Sequence, residues 1–234
     1  MDRVAAPMRT NVESFVRLIQ ELFVASGKAL TVYGAVLMEP FQVDRDAVRS
    51  VLVVERVDLP QLRRLSDRGA KLGKLGFTAP LVMTPVHIRT SLDTFPLELM
   101  EIQQQHVTLF GADHFNDLTF DAAHIRLECE RELKRALIVL RQGLLGSAGR
   151  ERLVALMEKD AADDLVRTLR GLLWLKGQKD FKVPTEVITA IETLTIRKLP
   201  GIRTAFHSST TLGWTEFDAL YRDVEALGEI VNGW

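Results

Sequence analysis

One segment, VRSVLVVERV at residues 48–57, constrains the fold more than any other part of the sequence. Its central run, VLVV at 51–54, consists of apolar and mostly β-branched residues, which favour a strand. Successive side chains of a strand point to opposite faces of its sheet, so a continuous apolar run indicates burial on both faces. The sequence therefore predicts a central strand with structure packed on both sides.

Helices and strands alternate around this strand. A helix is predicted at 11–26 from apolar residues at helical spacing, with Thr10 and Glu13 at capping-box positions. A strand at 29–35 and a loop at 36–47 follow it. The further elements predicted in this half are a helix from Asp58 to about Leu75, a strand at 80–84, a helix from Thr84 to about Asp93, and a strand at 106–111.

The segment FPLELMEI at 95–102 is ambiguous. Its length and Pro96 favour a strand, whereas its leucines, glutamates and methionine favour a helix. As a strand it would offer two carboxylates, Glu98 and Glu101, which as surface acids would also suit an edge strand.

The chain changes character after residue 120 and becomes helical throughout. Asp121 is expected to cap a long helix at 122–145, and Thr215 is expected to cap the last helix, which runs to about Asn232. We therefore predict an α+β fold: an α/β domain at about 1–115, and a helical bundle domain at about 119–234. The helices predicted between the first and the last are 150–176, with a break allowed near Asp160, 185–195 and 199–207.

Composition excludes several classes of protein. The chain has 30 Lys and Arg against 31 Asp and Glu, and this balance is not that of a dedicated nucleic-acid-binding protein. One cysteine, Cys129, excludes an internal disulfide and fits a reducing compartment. No apolar run reaches the ~20 residues that span a bilayer, and the N-terminus lacks the apolar core of a signal peptide. We expect a cytoplasmic protein with neither a membrane nor a nucleic acid as its partner.

Two segments resemble nucleotidyltransferases of the polymerase-β type. One is Tyr33-Gly34-Ala35 followed by VLVVE at 51–55, and the other is PLVMTPVHIRTSLDTFPLELMEIQQQHVTLFG at 80–111. The resemblance covers roughly residues 28–145 and implies a small mixed sheet with a helical C-terminal bundle. In that family the first strand ends in Gly-Ser beside the nucleotide phosphates. The second strand carries an Asp-x-Asp pair for two metal ions, and a later strand adds a third carboxylate.

The sequence departs from this family where the chemistry would occur. Nucleotidyl transfer with two Mg²⁺ ions requires carboxylates that converge, and Asp residues at i and i+2 of a strand share one face. If VLVV is the body of the second strand, the pair should fall at 48 and 50, where the sequence has Val48 and Ser50. The Gly-Ser position reads Gly34-Ala35, so the hydroxyl that would help to bind phosphate is missing as well.

An alternative set of carboxylates lies just upstream, at Asp44 and Asp46. Its use would require a slip of four residues, which displaces the pair by ~13 Å along the strand. With Glu98, these residues would then form the catalytic and metal-binding set of an active enzyme. The plainer interpretation is that Asp44 and Asp46 are solvated loop residues.

Three functions remain open on the sequence. The first is a catalytically degenerate nucleotidyltransferase-like binding, regulatory or assembly module, which needs no cofactor and can still bind a nucleotide at Gly34 and Ala35. The second is an active enzyme that uses Mg²⁺ and a nucleoside triphosphate through Asp44, Asp46 and Glu98. The third is a scaffold that binds no nucleotide. The helical half offers a surface for a homodimer or another protein, with its three tryptophans as candidate contacts: Trp174, Trp214 and Trp234.

Overall fold

The computed structural model describes residues 1–38, 41–43, 46–179, 183–207 and 213–234. These residues form two compact units, Met1–Phe120 and Asp121–Trp234. The first unit contains the sheet and the second consists of helices, so the chain has the α+β fold that its sequence predicts. None of the helices in the described part of the chain is long and apolar enough to cross a membrane.

A four-stranded mixed sheet forms the centre of the first unit. Its strand order is β3-β2-β1-β4, with β1 antiparallel to both β2 and β4, and β3 parallel to β2. All four strands were predicted, with bounds that differ by a few residues. They are β1 at Gly27–Tyr33, β2 at Arg49–Val54, β3 at Leu81–Met83 and β4 at His106–Gly111.

The sheet has an apolar core on each face. Alternate residues of β2 enter opposite cores: Leu52 and Val54 pack with the N-terminal helix, whereas Val51 and Val53 pack with Ile88, Leu99 and neighbours. The prediction that the VLVV run is buried on both faces is confirmed, because all four residues are buried.

In the part of this unit that the structure describes, five α-helices accompany the sheet: α1 at Arg9–Leu22, α2 at Leu59–Ser66, α3 at Gly69–Lys74, α4 at Pro85–Thr90 and α5 at Pro96–Gln104. Two predicted caps are confirmed, since Asp58 accepts a hydrogen bond from Gln61 N and Thr84 accepts one from His87 N. The capping box at Thr10 is wrong. A 3-10 turn at Ala6–Met8 leads directly into α1, which begins at Arg9 and has no side-chain cap. The single helix predicted at 58–75 is divided into α2 and α3.

The segment at 95–102, which the sequence left ambiguous, is helical and forms most of α5. Pro96 occupies the first position of α5, where its missing N–H costs no hydrogen bond. Apolar residues are buried on several sides of this short helix, which explains why it shows no clear helical period in the sequence. Glu98 and Glu101 therefore belong to a helix, and no strand carries them.

The described residues of the second unit form five further helices: α6 at Ala122–Ser147, α7 at Glu151–Leu175, α8 at Pro184–Thr195, α9 at Pro200–His207 and α10 at Trp214–Asn232. Asp121 caps α6 as predicted, because its Oδ1 accepts a hydrogen bond from Ala123 N at 2.7 Å. Helix α7 continues through Asp160 without a break. The predicted cap at Thr215 is wrong, since α10 begins at Trp214 and Glu216 instead accepts a hydrogen bond from Gly213 N.

Candidate functional site

The candidate site lies at the end of β1, where the strand turns at Gly34. Gly34 has a φ of +75°, a backbone conformation that favours glycine, and its N–H donates to the Gln105 carbonyl at 3.0 Å. The turn continues as a 3-10 segment at Gly34–Leu37, which includes Ala35. A Cβ atom at Gly34 would lie 2.6 Å from Arg49 Nη2, so an arginine side chain covers the glycine.

Arg49 is held at this turn by Glu101. The Arg49 Nη2 and Nη1 atoms donate to the two carboxylate oxygens of Glu101 at 2.8 and 3.3 Å, a bidentate geometry that fixes the guanidinium plane. The Arg49 side chain is 34% exposed and that of Glu101 is 9% exposed. The guanidinium carbon also lies 5.0 Å from the centre of the Tyr33 ring, a cation–π distance.

Sequence reasoning missed Arg49. The signal was present, because Arg49 is a charged residue at the start of the most strongly predicted strand. Its partner lies 52 residues away, in a segment that the sequence left ambiguous between a strand and a helix, so the ion pair had no sequence signature.

Arg49 belongs to a polar row that crosses three strands. The sheet register pairs Tyr33 with Arg49 on one side and with His106 on the other. The His106 Nε2 atom lies 2.8 Å from an Asp113 oxygen, and its Nδ1 atom lies 3.0 Å from the Gln103 carbonyl. His106 therefore has an oxygen atom within hydrogen-bond distance of each ring nitrogen.

Asp113, the carboxylate beside His106, is held in its ionised form. Burial by itself raises the pKa of Asp113, but hydrogen bonds from the N–H groups of Phe115 and Asn116, together with His106, bring that pKa below its ordinary value. Arg49 and His106 therefore each have a carboxylate beside them, Glu101 and Asp113 respectively.

The positions expected for the metal-binding pair do not suit Mg²⁺. Val48 and Ser50 are both buried, and Val48 belongs to the core on the α1 side of the sheet. Because side chains alternate along β2, these two residues point to the face opposite Arg49. The Ser50 hydroxyl makes no hydrogen bond among the described residues. A valine and a single hydroxyl cannot replace the two carboxylates that Mg²⁺ chemistry requires.

The alternative carboxylates are described only in part. Asp46 is half-buried and its carboxylate accepts a hydrogen bond from Gln42 N at 2.8 Å. Asp44 lies outside the described residues, so the set of Asp44, Asp46 and Glu98 remains a prediction. Within the ranges that the structure describes, no three His, Cys, Asp or Glu side chains are grouped closely enough to hold a metal ion.

The three tryptophans lie on different parts of the helical unit. Trp174 is half-buried near the end of α7 with Lys179 Nζ 5.1 Å from its ring centre, and Trp234 lies after α10 with Lys176 Nζ at 4.0 Å. Trp214 is exposed at the start of α10, where it stacks on Phe217 at 5.8 Å. Their role in partner contact remains a prediction.

Comparison with solved structures gives a likeness of fold. No protein-family model and no curated protein matches the sequence. The structure is similar to the crystal structure of a spectinomycin adenyltransferase from Enterococcus faecialis with ATP and spectinomycin. The TM-score is 0.61 at 9% sequence identity, over 96% of this chain and 99% of that one. At this identity the likeness shows the fold alone, and that fold is nucleotidyltransferase-like.

Proposed function

We propose that this protein is a catalytically degenerate nucleotidyltransferase-like protein that acts as a binding, regulatory or assembly module. The observation that carries the proposal is the Arg49–Glu101 ion pair, which covers Gly34 at the end of β1. A fixed guanidinium at this place repels a divalent cation, and it uses the buried carboxylate of Glu101 as its own counter-ion. Together with Val48 and Ser50, the pair offers no set of metal ligands among the described residues at this edge of the sheet.

A nucleotide remains the first ligand to test, because the similar adenyltransferase structure contains ATP. In this chain, the positive charge that a bound phosphate needs would come from Arg49 and not from Mg²⁺. Arginine suits this role because its guanidinium has five N–H donors, of which Glu101 uses two here. We therefore expect any nucleotide that binds near Gly34 and Ala35 to bind without a metal ion.

The first experiment is a thermal-shift measurement on the full chain with each nucleoside triphosphate, once with Mg²⁺ and once with EDTA. A ligand at ~100 times its Kd stabilises the folded state by about 2.7 kcal/mol, which is readily measured as a change in Tm. The proposal expects the same shift with Mg²⁺ and with EDTA, and its loss in Arg49→Met. Arg89→Met, which removes an exposed arginine of the same unit, is the matched control.

The other outcomes separate the remaining functions. A shift that requires Mg²⁺ would contradict a degenerate site and favour an active enzyme. A nucleotidyl-transfer assay with Asp44→Asn, Asp46→Asn and Glu98→Gln would then test the alternative carboxylates. No shift with any nucleotide would leave an assembly module that binds no nucleotide, and the search would move to protein partners.

The specific observation that favours the active alternative is the likeness to an adenyltransferase whose structure holds ATP and spectinomycin. On that alternative, the chain would transfer a nucleoside monophosphate from a triphosphate to a hydroxyl group of an acceptor. Turnover would depend on Mg²⁺ and would be lost in Asp46→Asn, whereas a degenerate protein would show no turnover in either form.

A further inference from the structure

The outer surface of the α6–α7 hairpin exposes an unusual number of large aliphatic side chains. Single exposed apolar residues are ordinary on protein surfaces, but clusters mark interaction sites. Five such residues, each between 41% and 81% exposed, fall between residues 138 and 156: Ile138, Val139, Leu145, Leu153 and Leu156. We call the outer sides of α6 residues 134–146 and α7 residues 153–164 the hairpin face.

The hairpin face contains an open trough of about 430 Å³. Val139, Gly143 and Gly146 of α6 line one side, and Leu153 and Met157 of α7 line the other. The surface of α6 is recessed here because its two glycines have no side chains, whereas α7 carries large apolar side chains. A Cβ atom at Gly146 would meet nothing within 4 Å, so the space above that glycine is empty in the chain.

The two helices of the hairpin face also differ in the sign of their exposed charges. The exposed cations Lys134 and Arg135 lie on α6, and the exposed acids Asp160 and Asp164 lie on α7. Lys134 and Arg135 pair with glutamates of their own helix, but neither aspartate has an ion-pair partner among the described residues. The α7 side of the face therefore presents carboxylates that are free to meet a cation.

Helices α6 and α7 are antiparallel neighbours, so the position of each charged residue along the hairpin axis can be compared between them. The side chain of Met157 lies directly over Gly143. Arg135 is eight residues before Gly143, and residue 165 is eight residues after Met157. Arg135 and Asp164 thus lie at nearly the same level, ~12 Å along the hairpin from the trough.

We propose that a second copy of this chain covers the hairpin face and forms a symmetric four-helix bundle with it. A twofold axis parallel to the hairpin places α6 of each copy against α7 of the other and brings residues of equal level together. Leu153 and Leu156 then fill the partner's glycine-lined trough, and Arg135 meets the partner's Asp164. A second copy suits this face because the large side chains of its α7 fit against the glycines of α6. The carboxylates of α7 likewise meet the cations of the partner's α6.

The mass of the full chain in solution, measured by sedimentation equilibrium from about 1 to 100 µM, tests the proposal. We expect twice 26.3 kDa for the wild type. Leu156→Asp places a charge in the apolar contact and should weaken dimerisation at least tenfold. Ile196→Asp is the matched control, because Ile196 is almost fully exposed at the end of α8, and it should leave the dimer intact.

Gly146→Leu separates loss of the dimer from loss of the fold. The added side chain has free space in the single chain and replaces a glycine in a helix, so the Tm of the monomer should not fall. The same side chain fills the trough that a second copy would occupy, so dimerisation should weaken at least tenfold. A dimer that survives both Gly146→Leu and Leu156→Asp would overturn the proposal and place the interface elsewhere.

Charge reversal tests the orientation of the two copies. Arg135→Glu and Asp164→Arg each bring like charges together across the twofold axis, and the double variant restores opposite charges. We expect each single variant to weaken dimerisation about threefold to tenfold and the double variant to recover most of the loss. Losses that simply add in the double variant would exclude this orientation, and a wild type that stays at 26.3 kDa up to 100 µM would exclude the dimer itself.

Discussion

The guanidinium of Arg49 occupies the space that any side chain at Gly34 would need. The Nη2 atom lies 2.6 Å from the position of a Cβ, closer than real Cβ contacts come. The fold alone therefore explains why position 34 is a glycine. The turn requires a positive φ, and the side chain of Arg49 fills the space that a Cβ atom would need. The same contact that fixes the glycine also places a cation at the end of β1, where the nucleotidyltransferase resemblance leads us to expect nucleotide phosphates.

Replacing Gly34 with alanine should test this relationship. The variant combines a strained φ of +75° with a clash against Arg49, and we expect the free energy of unfolding to fall by about 2 kcal/mol. Gly73→Ala is the control, because Gly73 lies in helix α3 and a Cβ there would meet no atom within 4 Å. We expect its free energy of unfolding to rise by up to ~1 kcal/mol. Urea unfolding of both variants provides the comparison, and equal stability of Gly34→Ala and the wild type would contradict it.

The Arg49–Glu101 pair should be worth more than an ordinary surface ion pair. A double-mutant cycle with Arg49→Met and Glu101→Gln isolates their coupling, which we expect at about 1–3 kcal/mol because Glu101 is buried and the contact is bidentate. The control cycle uses Arg17 and Glu13 on α1, both exposed and 3.9 Å apart, where the coupling should stay below ~0.5 kcal/mol. Equal coupling energies in the two cycles would show that Arg49 is not held as the geometry indicates.

The sequence predicted the sheet better than it predicted the site. Apolar β-branched runs determine strands locally, and 48–57 was recognised as the central strand because burial on both faces leaves a continuous pattern. Helix α5 stayed ambiguous between a helix and a strand, because a short helix buried on several sides shows no amphipathic period. The site depends on Arg49 and Glu101, which lie 52 residues apart and meet only through tertiary packing, so no local pattern could indicate their contact.

Glu158 should make the stability of the protein depend on pH. It lies fully buried on α7, and its two carboxylate oxygens have no hydrogen-bond partner among the described residues. Burial, together with the nearby charge of Glu216, raises the pKa of Glu158 from 4.5 to about 7. Between these values the folded chain holds a proton that the unfolded chain has released, so stability falls as the pH rises from about 4.5 to 7 and then levels off.

The free energy of unfolding at pH 5 and pH 8 measures this effect. Glu158 should contribute a loss on the order of 2–3 kcal/mol over this interval. Glu158→Gln removes the titrating group and should reduce the difference by that amount, whereas Glu229→Gln, on the last helix, should not change it. An unchanged pH dependence in Glu158→Gln would show that the carboxyl ionises as readily in the folded chain as in the unfolded one.

Gly201 allows α9 to pack closely against α10 in the second unit. A Cβ at Gly201 would lie 2.2 Å from backbone atoms of Ala219 and Leu220, so alanine forces α9 away from α10. That displacement would also pull the N–H groups of Gly201 and Ile202 from the buried carboxylate of Asp223, which accepts them at 2.7 and 3.1 Å. Since overpacking and the loss of buried hydrogen bonds both act, we expect Gly201→Ala to lower the free energy of unfolding by about 3 kcal/mol or more.

A second glycine provides the control for this loss. Gly228 lies on α10 with nothing within 4 Å of its Cβ position, so Gly228→Ala should stabilise the chain by up to ~1 kcal/mol. Opposite signs for these two Gly→Ala changes, measured by urea unfolding under the same conditions, would locate the α9–α10 contact at Gly201. If Gly201→Ala were tolerated as well as Gly228→Ala, the backbone of α10 could not lie 2.2 Å from the Cβ position of residue 201.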